Sequence, residues 1–226
     1  MIARQIYAAT VFAVLAAAPA AAAVTGGAIT GGTVFTRGGS FIVIGSPAGL
    51  SVGNNNFNDN NVRAFNEVQN YRLGSTLLVD IGGPISAGTP IDSHYLVFDT
   101  FRNQTVQGSA VFATPVLGII YSFANLQASD VLGAAGVTYL QPFARGLEPP
   151  VDNVGFVGNT VSFSLSGSSP GDTFRVVTAA YVPEPSSWVM MTGGFGLTGW
   201  AMRRRASGRA AGPAGRMPPR PAGLPR

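Results

Sequence analysis

The chain has no cysteine, no lysine and a single histidine, His94. Without cysteine there can be no disulfide, thiolate zinc site, iron–sulfur cluster or thiol nucleophile. Without lysine there is neither a phosphate-loop lysine nor a Schiff base. One histidine excludes multi-histidine metal centres and forces any Ser/His/Asp relay onto His94. Charge is scarce as well: Asp, Glu, Lys and Arg make up 11% of the 226 residues, against 46% hydrophobic residues. That balance is enough to bury a core.

The formal net charge of +4 suggests a partner such as nucleic acid until the charges are located. Residues 24–182 hold six arginines against nine carboxylates, a net of −3, whereas Arg203 to Arg226 holds seven arginines and no acid. A mildly acidic body repels a phosphate backbone, so nucleic-acid binding is not expected.

Met1 to Ala23 reads as a secretory signal peptide, with Arg4 before an apolar run, Ile6 to Ala18, that is too short to span a bilayer, and small alanines at the cleavage site. The body is then residues 24–182. It closes on Val182-Pro183-Glu184-Pro185, where two prolines deny backbone donors and exclude sheet or helix. Trp188 to Met202 is uncharged, bracketed by two tryptophans and followed by Arg203-Arg204-Arg205. This pattern predicts a short transmembrane helix of about 22 Å with its arginines on the cytoplasmic side. Residues 206–226, rich in Arg, Pro, Gly and Ala, cannot pack a core and are expected to be disordered.

Signal peptide, body, Pro-Glu-Pro, short apolar helix and triple arginine together resemble the PEP-CTERM proteins of Gram-negative bacteria. The resemblance implies that Pro183, Glu184, Pro185, the helix and Arg203, Arg204 and Arg205 form a sorting and processing signal. It implies exosortase, a membrane protease of the transpeptidase kind, as the partner that reads this signal. The implied route is an inner-membrane intermediate followed by the cell surface or extracellular space, with a link to exopolysaccharide and biofilm.

Within the body, short apolar or alternating runs separated by turn residues recur: Thr33 to Phe35, Phe41 to Ile44, Thr76 to Ile81, Tyr95 to Phe101, Ser109 to Thr114, Val116 to Phe123, Val137 to Leu140, Val154 to Val157, Thr160 to Leu165 and Phe174 to Tyr181. Val161, Phe163 and Leu165 alternate strictly with small polar residues, which puts one face in a core and the other in water. The expectation is an all-β, single-domain antiparallel β-sandwich, with one short helix within Asn125 to Gly136.

Three features invite a functional reading. The Asn54 to Asn61 run offers oxygens for calcium but a single carboxylate, Asp59, which points to a chain of Asx-turns and to a body, residues 24–182, whose thermal unfolding is nearly the same with and without calcium. Asp92-Ser93-His94 holds the residue types of a relay, yet neighbours in a strand point to opposite faces. Asp80, Asp92 and Asp99 could supply a glycosidase pair only if they met in space. Sequence therefore assigns no catalytic residue, metal ligand or cofactor. It favours a non-enzymatic structural protein of the surface or matrix over a calcium-assisted carbohydrate-binding module, and both over a secreted hydrolase.

Overall fold

The computed structural model describes residues 23–45, 47–140 and 145–181, all within one compact unit. The expected signal peptide up to residue 22, the sorting signal and the C-terminal tail lie outside the described residues.

The strands are β1 (Val24–Gly31), β2 (Phe41–Val43), β3 (Ser51–Val52), β4 (Val62–Asn66), β5 (Tyr71–Arg72), β6 (Ile81–Gly82), β7 (Pro90–Phe98), β8 (Gln104–Phe112), β9 (Val116–Ile120), β10 (Thr138–Tyr139), β11 (Asn153–Val157), β12 (Thr160–Gly167) and β13 (Asp172–Ala179). One short helix, α1 (Phe123–Ala128), is followed by a 3-10 turn at Asp130–Leu132. A four-stranded sheet runs β1-β8-β12-β11, and a seven-stranded sheet runs β2-β4-β7-β13-β9-β6 with β5 also on β7. Most pairs are antiparallel, as the alternation in β12 leads one to expect. The β2–β4 and β3–β10 pairs are parallel, which makes the architecture mixed. A parallel pair needs a crossover, and the chain between β2 and β4 supplies one that carries β3 and the Asn-rich run.

Three local expectations change. Thr33 to Phe35 turns into a 3-10 helix at Phe35–Arg37 instead of extending, with Gly38 in the left-handed region closing it. Thr76 to Ile81 contributes only an isolated bridge, Leu77 to Ile85, and the start of β6. The helix expected within Asn125 to Gly136 begins earlier and is split between α1 and the 3-10 turn.

Both sheets share one core. Val106, Ala110, Phe112, Val161, Phe163 and Leu165 from the smaller sheet meet Leu96, Phe98, Ile119, Phe174 and Val176 from the larger. Each such side chain contributes about 1.5–3 kcal/mol relative to exposure. Close approach depends on missing side chains: a Cβ on Gly27 would lie 2.6 Å from the Phe41 ring, and one on Gly108 would lie 2.8 Å from that of Phe163. The two rings stack at 6.4 Å.

The larger sheet is covered on its other face too. Phe65, Ile91, Tyr95, Val97 and Val177 pack there against Leu126 of α1, Leu132, Ala134 and the β3–β10 ribbon. In this second core lies Arg175, in the middle of β13 and with no exposed surface. Its Nε and Nη2 donate to the two oxygens of Glu67 at 2.6 and 2.8 Å, and its Nη1 donates to Ser129 Oγ at 2.5 Å and to the Leu126 carbonyl at 3.3 Å. Glu67 also accepts from Ser93 and Tyr139 hydroxyls, each at 2.5 Å. Rings of Tyr95 and Tyr139 lie 5.3 and 5.4 Å from the guanidinium. Burial disfavours charge on Arg175, but Glu67 outweighs it and raises the guanidinium's pKa further.

Removing one partner of a pair with no exposed side-chain surface leaves an uncompensated charge, at a cost of about 3–5 kcal/mol. Glu67→Gln is therefore expected to lower the melting temperature by roughly 10 °C. A loss below about 2 °C by calorimetry would show that the pair is not buried as described.

Candidate functional site

The groups singled out from sequence are dispersed and individually occupied. Asp92 and Asp99 sit seven residues apart at the two ends of β7, about 23 Å at 3.3 Å per residue. Asp80 precedes β6, three strands away in the sheet. None of these spacings approaches the roughly 5–9.5 Å of a glycosidase pair. Each carboxylate has a structural task. Asp80 accepts from Tyr121 N, Ser122 N, Ser122 Oγ and Asn125 Nδ2 at 2.7–2.8 Å, fixing the entry to α1. Burial alone would raise its pKa, but these four donors bring it below the ordinary value. Asp92 accepts from the amides of Asn70 and Tyr181, and burial nonetheless raises it. Asp99 accepts from the amides of Asn56 and Phe57 at 2.8 Å and so anchors the Asn-rich run.

Within that run Asp59 is engaged by both terminal nitrogens of Arg63, at 2.8 and 2.5 Å, and by Asn61. The one carboxylate that the run could offer to calcium is thus committed to an arginine. Asn55 N donates to Asn54 Oδ1, and Asn61 N to Asp59 Oδ1, the Asx-turn pattern expected from the composition.

His94 is inside the core. Its Nδ1 donates to Asn66 Oδ1 at 2.8 Å, which leaves Nε2 to accept from the Thr178 hydroxyl at 3.1 Å. Burial pushes it down to about 3, so the imidazole is neutral at physiological pH. Ser93 faces Glu67 on the opposite side of the sheet, and Asp92 reaches neither. The alternation argument against a relay holds.

A constellation that sequence did not indicate is formed by Glu148, Asp152 and Asp172, whose carboxylate oxygens lie within 4.8 Å of one another. Glu148 and Asp152 belong to the loop before β11, and Asp172 opens β13. Two bonds seat the loop on the strand: Gly146 N donates to Thr173 Oγ1, and Thr173 N to the Gly146 carbonyl. Asp152 is locked in place, with Oδ2 accepting from Glu148 N and Oδ1 from Ser166 N, each at 2.8 Å. Asp172 is 3% exposed, and among the described residues its Oδ2 has no hydrogen-bond partner. Burial, with the charges of Asp152 and Glu148 added, pushes Asp172 up to about 8, and burial together with Asp152 also raises Glu148.

Residues 182–205 match the family model of the PEP-CTERM protein-sorting motif. The chain carries a PEP-CTERM sorting signal. The match spans Pro183, Glu184, Pro185 and Arg203 to Arg205, all outside the described residues, and implies export to the cell envelope with sorting by exosortase. No curated protein and no solved structure matches the chain. No helix among the described residues is long and apolar enough to cross a membrane; the stretch expected to do so lies within the PEP-CTERM match.

The body ahead of the PEP-CTERM signal has a testable pH response. Asp172 titrates near 3.8 when unfolded and near 8 when folded, so between these values the native protein holds a proton that the unfolded chain has released. Stability is therefore lost as pH rises through this window. In metal-free buffer the melting temperature should fall between pH 5 and pH 8, and Asp172→Asn should flatten that slope and melt higher than wild type at pH 8. An unchanged slope in the variant would contradict this assignment.

Proposed function

We propose that the chain is an exported, non-enzymatic structural protein of the cell surface or extracellular matrix, associated with exopolysaccharide and biofilm, whose β-sandwich body exosortase releases from a transient membrane anchor. The observation that carries this reading is the PEP-CTERM match at residues 182–205. The charge distribution supports it: the basic groups gather behind the anchor, where they would hold the C-terminus on the cytoplasmic side until processing. An apolar segment of about 22 Å, interrupted by glycines, is a poor permanent anchor against a hydrocarbon core of about 30 Å. The non-enzymatic reading draws support from the body, where His94, Asp80, Asp92 and Asp99 each have structural partners.

In cells that contain exosortase, the intact mass of the surface protein should correspond to loss of Trp188 to Arg226. Replacing Pro183, Glu184 and Pro185 together by alanine should leave the protein in the membrane fraction with its body folded. Surface-localised protein that still carries Arg203 to Arg205 would overturn the cleavage and leave a simple anchored protein. Recovery of the released body in the soluble medium, with none in the polysaccharide fraction, would overturn the matrix association.

A further inference from the structure

Every buried carboxylate described in the body but one has found a donor. Glu67 has Arg175, Asp92 and Asp99 have backbone amides, and Asp152 has an amide on each oxygen. Asp172 is the exception: Asp99 also has one unpartnered buried oxygen, but its other oxygen takes two amides, whereas no described donor reaches the Asp172 carboxylate. A buried anionic oxygen without hydrogen bonds is expensive, and it is tolerated where something else supplies the positive charge. No described arginine bonds to it: Arg175 is spent on Glu67, and Arg145, which lines the same cleft, directs both terminal nitrogens to Asp130 and leaves its Nε without a described partner. Three carboxylates thus converge with no described arginine paired to any of them.

We propose that Glu148, Asp152 and Asp172 form a binding site for a hard divalent cation, calcium, which ties the loop before β11 to the turn between β12 and β13. Two observations meet here independently. The first is spacing: oxygens bound to one calcium at about 2.3–2.6 Å can lie at most about 5 Å apart, and the three carboxylates satisfy this within 4.8 Å. The second is the unpartnered Oδ2 of Asp172. Oxygen-only ligands of this charge suit calcium, not zinc or copper, which prefer nitrogen and sulfur.

Space is available for the rest of the coordination shell. A cleft of about 190 Å³ is lined by Arg145, Gly146, Glu148, Asp172 and the Ser166 to Gly171 turn. It holds several waters at about 30 Å³ each. Gly167 makes room for the carboxylate, since a Cβ there would come within 2.7 Å of Asp172 Oδ2. Asp152, fixed by two amides, is the rigid ligand, and Glu148, exposed at the rim, is the one that closes over the ion. The proposal departs from the expectation of a body indifferent to calcium, because that expectation weighed the Asn-rich run alone and this cluster lies outside it.

Calorimetric titration of the chelator-treated, full-length protein with calcium chloride should give one site per chain, with Kd of about 10⁻⁴ M, the range of extracellular calcium modules. At about 2 mM calcium the melting temperature should then rise by about 4–7 °C over chelator. Asp172→Asn and Glu148→Gln should each weaken binding at least tenfold and abolish the shift, whereas Asp59→Asn, in the Asn-rich run, should leave Kd unchanged. Asp172→Asn puts a neutral group where burial disfavours a carboxylate, and Glu148→Gln alters an exposed side chain, so both should fold. Absence of binding up to 10 mM calcium, roughly a hundred times the expected Kd, would overturn the proposal. So would wild-type affinity in both carboxylate variants, or loss of binding in Asp59→Asn alone.

Discussion

A guanidinium in the middle of a strand covered on both faces must find its counter-charge inside the molecule, and Arg175 finds it in Glu67, 108 residues away in the chain. Much of the outer layer is placed by that requirement. Glu67 fixes Tyr139 and Ser93, and Arg175 fixes Ser129 and the end of α1. Asp130 approaches Arg175 at 3.6 Å and pairs with both terminal nitrogens of Arg145. Arg145 in turn begins the loop that carries Glu148 and Asp152. The arginine network and the acidic cluster are therefore two ends of one construction: the loop is held at Arg145 and Gly146 by Asp130 and Thr173, and at Asp152 by the Ser166 amide.

Compared with an apolar replacement, a buried ion pair adds little net stability, because desolvation offsets most of the attraction. What it contributes here is placement. The layer over the larger sheet consists of a six-residue helix, a 3-10 turn and a two-stranded ribbon, none long enough to be stable alone. Their apolar side chains could pack against the sheet in several ways, whereas the bidentate contact of Arg175 with Glu67 allows one. The opposite face needs no such device, since strict alternation in β8 and β12 already assigns each side chain to core or solvent.

The sequence was most legible where one periodicity governed a long segment. β12, most of β13 and the C-terminal halves of β7 and β8 follow from alternation or apolar runs. β1 was missed because VTGGAITG has little strand propensity; it is a strand because its glycines let β8 and Phe41 approach. β4, five residues between the Asn-rich run and Glu67, is defined by β7 pairing along its whole length. Arg175 did carry a signal: a charge amid FRVVTA demands a buried partner, although nothing local identifies Glu67. The acidic cluster had none, since Glu148, Asp152 and Asp172 meet only because the loop folds onto β13. Asp59 and His94 were read correctly from local rules, the first as part of an Asx-turn chain and the second from strand alternation.

The claim that a single buried pair holds the outer layer in place is tested most directly by native-state hydrogen exchange, comparing wild type with Glu67→Gln. If the pair is the clamp, amides of residues 123–139 should lose protection together in the variant, while β8 and β12 keep theirs. Uniform loss across both sheets, or unchanged protection over residues 123–139, would contradict the account.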